Sequence, residues 1–97
     1  MSLEEILSSV AKQMMEGDAV AIDGKRYAVK RSSAQRLKMV TFAVDGEEYT
    51  AIEQNPEKPS RWGKLARDGY KVVQFKNVQT NRFVAVAVDG AVKGYKR

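Results

Sequence analysis

The side chains that could transfer protons in this chain are carboxylates, lysines and tyrosines, because its 97 residues include no cysteine and no histidine. That composition excludes disulfides, thiolate nucleophiles, zinc sites built from cysteine and histidine, and histidine-based acid–base catalysis. Asp23, Asp45 and Asp89 each stand directly before a glycine, where turn chemistry alone favours aspartate. We therefore predict no catalytic residue, no metal site and no cofactor, and rank an enzyme acting through carboxylates last.

The basic residues are concentrated in two stretches of the chain. The net charge is +5, but residues 25–38 hold six bases and no acid, and residues 58–97 hold ten bases and two acids. Residues 1–24 hold five acids and one base, and residues 39–57 hold five acids and no base. Because clustered cations attract polyanions and each neutralised phosphate releases counterions, this pattern favours nucleic acid as a partner. A solvated basic surface is the plain alternative.

Bases and aromatic rings are interleaved in both basic stretches. This is typical of proteins that stack unpaired bases on rings and meet phosphates with cations. The candidate nucleic-acid-binding residues are Arg26, Lys30, Arg31, Arg36, Lys38, Arg61, Trp62, Lys64, Arg67, Lys71 and Phe75. For Trp62 and Phe75 burial in the core competes with this interpretation, because large rings dominate small cores.

Two helices are predicted among the elements that must position these residues. Ser2 and Glu5 form an S-x-x-E capping box, and apolar residues then recur at helical spacing up to Met14. Gly17 is expected to end this helix in the left-handed conformation. A second, short helix is predicted from Ser60 to Asp68, followed by Gly69 as its C-terminal stop.

Strands fill most of the remaining chain. Three Asp-Gly pairs follow runs of small or β-branched residues, which is the strongest local signal for a hairpin with a two-residue turn. Such a turn fixes the register, and the expected cross-strand pairs are Val20 with Tyr27, Phe42 with Tyr49, and Val84 with Tyr95. The predicted order is α-β-β-β-β-α-β-β-β, an α+β fold with a mainly antiparallel sheet in a single domain, 1–97. Residues 31–38 are expected to form an exposed basic loop.

Two of the predicted strands, residues 70–77 and 83–88, carry apolar side chains on both faces. Strands of this kind are covered on both faces, so we expect a homo-oligomer with the last hairpin near its interface. No apolar run approaches the length of a membrane span and no export leader precedes the first helix. We therefore expect a cytoplasmic protein without a membrane partner.

Part of the chain, mostly in the second basic stretch, is similar to a known group of proteins. Residues 55–67 (NPEKPSRWGKLAR), with VVQFK at residues 72–76 and AVAVDG at residues 85–90, resemble the ThermoDBP-related group of small archaeal single-stranded DNA-binding proteins. The resemblance extends at most over residues 55–95. It implies a helix-and-antiparallel-sheet fold, oligomerisation, and a cleft with an apolar floor and basic edges that holds a DNA strand. It implies that Trp62 and Phe75 belong to the floor and that the rim consists of Arg61, Lys64, Arg67 and Lys71.

The prediction from these patterns is a nucleic-acid-binding protein that prefers single-stranded DNA and reads little sequence. DNA and RNA are not distinguished by the residues themselves. The alternative is a homo-oligomeric assembly module without a nucleic-acid role, in which a positive segment of one copy meets a negative segment of another. Residues 25–38 and 39–57 are of opposite sign and similar size, which suits that alternative.

Overall fold

A computed structural model describes residues 2–33, 36–55, 57, 59, 61–87 and 92–95. The elements in chain order are α1 (Leu3–Glu16), β1 (Ala19–Ile22), β2 (Lys25–Ala28), β3 (Lys30–Arg31), β4 (Lys38–Val44), β5 (Glu47–Glu53), α2 (Arg61–Arg67), β6 (Val72–Asn77), β7 (Phe83–Ala87) and β8 (Val92–Tyr95). The α+β prediction is confirmed, with one short strand, β3, more than expected between the two helices. Neither helix in the described part of the chain is long and apolar enough to cross a bilayer.

Helix α1 begins as predicted and ends differently. The hydroxyl of Ser2 accepts a hydrogen bond from the amide of Glu5 at 3.2 Å, and the Glu5 carboxylate accepts one from the Ser2 amide at 3.4 Å. The left-handed stop expected at Gly17 is wrong, because this residue is extended, with φ −155° and ψ −166°. The chain passes directly from the helix into β1, so no left-handed reversal is required there.

All strand pairs are antiparallel, and they form a six-stranded sheet in the order β3-β4-β5-β6-β7-β8 and a separate β1–β2 hairpin. The two predicted pairs of Val20 with Tyr27 and of Phe42 with Tyr49 are confirmed. Both turns have positive φ at aspartate and glycine, 47° and 82° in the first and 51° and 80° in the second, as a type I′ turn requires.

The register of the third hairpin differs by one residue from the prediction. Tyr95 lies opposite Phe83, and Val84 lies opposite Gly94. The Asp89–Gly90 turn lies outside the described residues. The shift gives Tyr95 a different cross-strand neighbour from the one that the two-residue turn predicted.

Helix α1 and the β1–β2 hairpin cover one face of the six-stranded sheet. The buried side chains from these parts belong to one apolar cluster, which includes Leu7, Val10, Met14, Val20, Val40, Phe42, Ala51, Val73, Phe75 and Val86. The Phe42 ring is at its centre. It stacks on Tyr49 at 5.6 Å between ring centroids and meets Phe75 and Tyr27 edge-on at 6.0 and 6.4 Å.

Helix α2 covers part of the opposite face. Trp62 is buried with Val72 and Ala85, and Leu65 packs against this second cluster. The helix ends where predicted, since Gly69 has φ 98° and the amides of Gly69 and Tyr70 donate to carbonyls in the last turn. Helix α2 of the same chain therefore covers the second apolar face at Val72 and Ala85, so these residues do not require another subunit. Oligomerisation stays a prediction, but the apolar second face no longer supports it.

Residues 25–31 form one extended stretch that contributes a strand to the β1–β2 hairpin and a strand to the six-stranded sheet. Lys25–Ala28 pair with β1, and Lys30–Arg31 pair with the first two residues of β4. At the bend between them, the amide of Val29 donates to the carbonyl of Asp18 at 2.9 Å. The two ladders therefore diverge at Val29, and β2 separates from β4 beyond this point.

Candidate nucleic-acid interface

One end of the six-stranded sheet brings the two basic stretches of the chain together. Strand β3 ends and β4 begins there, with Arg31 opposite Lys38. Strand β5 ends and β6 begins at the same end, because Glu53 lies opposite Val73 and the amide of Gln54 donates to the carbonyl of Val72 at 2.8 Å. Helix α2 connects β5 to β6 and so lies at this end.

Among the described side chains of this region, the exposed cations are Arg31, Arg36, Lys64, Arg67 and Lys71, and we call them the basic end. Strand β3 supplies Arg31, the turn after it supplies Arg36, and α2 with the residue before β6 supplies the others. Strands β3 and β6 are three inter-strand spacings apart, about 14 Å. The same end also carries the carboxylates of Glu53, Glu57 and Asp68, so it is enriched in positive charge and not uniformly positive.

Hydrogen bonds connect the two described sides of the predicted basic loop, residues 31–33 and 36–38. A guanidinium nitrogen of Arg31 donates to the carbonyl of Arg36 at 2.9 Å. The amide of Arg36 donates to the carbonyl of Ser32 at 2.9 Å, and the Ser32 hydroxyl accepts from the amide of Leu37 at 3.2 Å. Arg36 itself has φ 58° and is exposed. The turn therefore fixes its backbone and presents its side chain to solvent.

Lys38 is removed from the predicted interface. It is half-buried, and its ammonium donates to the carbonyl of Met15 at 3.3 Å, in the last turn of α1. Its amide donates to a carboxylate oxygen of Glu53 at 3.2 Å. Because α1 has no basic residue of its own in its last turn, the charge of Lys38 offsets the negative end of the helix dipole. It acts as a structural cation.

The two rings predicted to stack on bases are buried. Trp62 is 6% exposed and Phe75 is 1% exposed, and each belongs to an apolar cluster. A buried ring has little surface to offer a base, so the burial of Trp62 and Phe75 argues against the stacking role, which stays a prediction. Arg61 begins α2, but its side chain lies outside the described ones.

Tyr70 is the ring that this region exposes. Half of its surface is accessible (50%), and it lies between the C-terminal end of α2 and Lys71. Tyr70 belongs to the same stretch of alternating bases and rings as Trp62 and Phe75. The alternation does not indicate which of these rings are buried, so it does not single out Tyr70.

Arg26 and Lys30 lie apart from the turn, in a groove where β2 and β4 diverge. The groove has a volume of about 330 Å³ and is lined by Arg26, Tyr27, Ala28, Lys30, Met39, Val40 and Thr41. Its lining, as far as the structure describes it, contains two bases and no acid. No local pattern indicated Met39 and Thr41, because the groove opens at the bend at Val29, and that bend arises where residues 25–31 pair with two different strands.

Part of the groove lining lies on the face of the sheet that α2 covers. Lys30 starts a row of directly opposed residues that crosses the sheet, and the row continues through Met39, Ile52, Gln74 and Ala85. Ala85 contacts the α2 cluster. Since directly opposed residues share a face, Lys30 and Met39 lie on that face, whereas Val40 of the same groove belongs to the cluster beneath α1.

The opposite end of the sheet carries both signs of charge. Asp45 of the β4–β5 turn, with Glu47 and Glu48 at the start of β5, lies about 23 Å from the start of β4 for a strand of this length. The exposed bases Lys76 and Arg82 lie at the same end. Glu47 accepts hydrogen bonds from the Tyr49 hydroxyl at 3.0 Å and from the Asn77 amide group at 2.8 Å. Burial, followed by this contact with Glu47, raises the pKa of Tyr49 above its ordinary value. The network joins β5 to β6 and keeps a phenol protonated.

The described residues contain no cluster of three or more acidic side chains that could hold a metal ion. Comparison of the whole chain with protein-family models, with curated proteins and with solved structures found no match. The resemblance to the ThermoDBP-related group therefore stays a prediction.

Proposed function

We propose that this protein binds single-stranded nucleic acid, DNA by preference, along the basic end, and that it does so in the cytoplasm without catalysis. The observation that carries the proposal is the placement of two exposed cationic groups, one from β3 with the turn after it and one from α2 with Lys71, at one end of the sheet. Contacts of lysine and arginine with phosphates carry no sequence information, so binding is expected to be largely independent of base sequence.

The spacing of the two groups suits a strand that runs across the end of the sheet. The distance of about 14 Å between β3 and β6 equals roughly four stacked nucleotides at 3.4 Å each. Tyr70, exposed beside Lys71, offers a ring to an unpaired base, and a stacked base contributes about 1–3 kcal/mol. The ring supports a preference for single strands, because the bases of a duplex are already stacked on each other.

Charge reversal tests the proposal. Lys64→Glu with Lys71→Glu changes two exposed side chains of the basic end, and we expect it to abolish binding of a fluorescent twelve-nucleotide thymidine strand in an anisotropy titration at low salt. The matched control, Lys12→Glu with Lys25→Glu, makes the same change of net charge at exposed positions elsewhere and is expected to weaken binding only slightly. Equal affinity of the two double variants would show that net charge, and not the basic end, drives binding.

A second function, self-assembly, is favoured by the separation of charge along β4. The basic turn and the acidic β4–β5 turn lie at opposite ends of this strand, so two copies can meet with the basic end of one against the acidic turn of the other. Sedimentation velocity at low and high salt tests this: the assembly is expected to dissociate as salt rises, and Glu47→Lys with Glu48→Lys is expected to prevent it. A monomer at every salt concentration would exclude the assembly and with it the predicted homo-oligomer.

A further inference from the structure

We propose that the groove between β2 and β4 binds one nucleotide unit, with its phosphate at Arg26 and Lys30 and its base between Tyr27 and Met39. This inference deepens the proposed function and rests on it. Lys30 lines the groove and is followed directly by Arg31 of the basic end, so the two sites are neighbours along β3. Because successive side chains of a strand point to opposite faces, a nucleic-acid strand that contacts Arg31 reaches the groove by passing around β3, which is the edge strand of the sheet.

The charge of the groove selects for an anion. Arg26 and Lys30 are both exposed and stand on either side of the bend at Val29. A guanidinium can hold a phosphate with two parallel hydrogen bonds, and an ammonium adds a point charge. With no carboxylate in the described lining, the two cations are not neutralised within the groove.

The apolar part of the groove suits a flat ring. Tyr27 and Met39 are half-buried, and both line the groove. The Tyr27 ring is held edge-on against Phe42 at 6.4 Å, which limits its movement. A tyrosine ring supplies a flat apolar surface and a thioether supplies a polarisable contact, and both are suited to a nucleobase.

An open strand edge supplies the polar groups that a base requires. In the described part of the chain, β4 pairs with β3 only at Lys38 and Met39, so its edge beyond Met39 has no strand partner on the side of the groove. Alternate residues of an antiparallel strand direct both backbone groups to the same edge. One of Val40 and Thr41 therefore turns its N–H and C=O toward the groove, as a donor–acceptor pair for the edge of a base.

The size of the groove limits the ligand to about one nucleotide. At about 330 Å³ it lies at the small end of the range for pockets that bind small molecules, roughly 300–1,000 Å³. A duplex cannot enter it, whereas a single strand can present one splayed nucleotide. The groove would thus add to the single-strand preference that Tyr70 gives.

The inference is tested by titrating the ¹⁵N-labelled protein with thymidine 5′-monophosphate and, separately, with inorganic phosphate. We expect the monophosphate to shift the backbone amides of Tyr27, Ala28, Val40 and Thr41, and inorganic phosphate to shift only signals near Arg26 and Lys30. The same shifts with inorganic phosphate alone, or no shift with the nucleotide, would overturn the base contact.

A filled groove gives the second test. Ala28→Phe adds a ring at an exposed lining residue without changing charge, and Ala43→Phe adds the same ring at an exposed residue of β4 outside the lining. Ala28→Phe is expected to weaken binding of the twelve-nucleotide strand about tenfold, or about 1.4 kcal/mol, and Ala43→Phe less than about twofold. Dispersed amide signals confirm that each variant is folded; if Ala28→Phe does not fold, the nucleotide titration of the unaltered protein decides.

The outcomes separate the groove from the basic end. If Ala28→Phe and Ala43→Phe bind the strand with equal affinity, the groove does not take part in binding. The role of the basic end still stands in that case, provided that Lys64→Glu with Lys71→Glu abolishes binding. If the unaltered protein binds no strand at low salt, the proposed function fails, and the inferred role of the groove in binding a strand fails with it.

Discussion

The salt dependence of binding can be predicted from the number of exposed cations at the basic end. These are Arg31, Arg36, Lys64, Arg67 and Lys71. For single strands the logarithm of the binding constant falls with the logarithm of salt concentration with a slope of about −0.7 for each phosphate that is neutralised. Five contacts give a slope of about −3.5, so affinity should fall about a hundredfold between 50 and 200 mM salt.

Neutralising two of the five cations should change the slope by a defined amount. Lys64→Gln with Lys71→Gln leaves three contacts, for which the slope is about −2.1 and the loss of affinity over the same salt range is about twentyfold. Lys12→Gln, at an exposed position of α1, should leave the slope of the unaltered protein unchanged. Neutralisation is preferred to reversal here, because it removes counterion release without adding repulsion.

The assay is an anisotropy titration of the twelve-nucleotide thymidine strand at four or more salt concentrations, with each variant measured in parallel. Two results would refute the reasoning. A slope shallower than about −1 in the unaltered protein would mean that at most one or two phosphates are contacted. Identical slopes in the unaltered protein and the double variant would mean that Lys64 and Lys71 do not contact the strand.

Three further predictions concern the fold that supports the surface. Trp62→Ala should lower the free energy of unfolding by about 3–5 kcal/mol, because the ring is 6% exposed; a change below about 1 kcal/mol in urea denaturation would contradict its burial. The pKa of Tyr49 is raised, so the native state keeps this proton at a pH where the unfolded chain loses it, and the free energy of unfolding should fall as the pH rises above 10. In an absorbance titration, one tyrosine should ionise later than the others, and this late ionisation should be absent in Tyr49→Phe. A late ionisation that persists in the variant would belong to another tyrosine. Gly46→Ala, at φ 80°, should cost about 1 kcal/mol in thermal denaturation, whereas Gly17→Ala, at an extended residue, should be nearly neutral; the reverse order would contradict both backbone assignments.

The parts of the fold that could be predicted are those that local chemistry determines. The capping box needs only Ser2 and the residue three positions later, and a two-residue turn such as Asp45–Gly46 determines which residues face each other on the flanking strands. These features follow from a few neighbouring residues, but local signals were not sufficient everywhere: Gly17 is extended, and the register of the third hairpin differs by one residue from the prediction. The order of helices and strands could be predicted because each element is indicated by local signals of this kind.

The features that could not be predicted depend on contacts distant in sequence. Whether Trp62 and Phe75 are exposed is decided by strands and helices tens of residues away, and both rings proved to be buried. Lys38 belongs by sequence to a basic stretch, yet its ammonium reaches the end of α1, 23 residues earlier. Counting charges along the chain therefore overestimated the interface at Lys38, and the groove at Met39 and Thr41 was missed.

The bend at Val29 affects the order in which parts of the protein unfold. Because a single stretch, residues 25–31, supplies one strand to each sheet, the small hairpin cannot detach without pulling β3 away from β4. Its departure would also strip Val20 and Ile22 from the apolar cluster beneath α1. The β1–β2 hairpin should therefore not melt ahead of the rest, and its amides should exchange with solvent only in the same cooperative opening that exposes the centre of the large sheet.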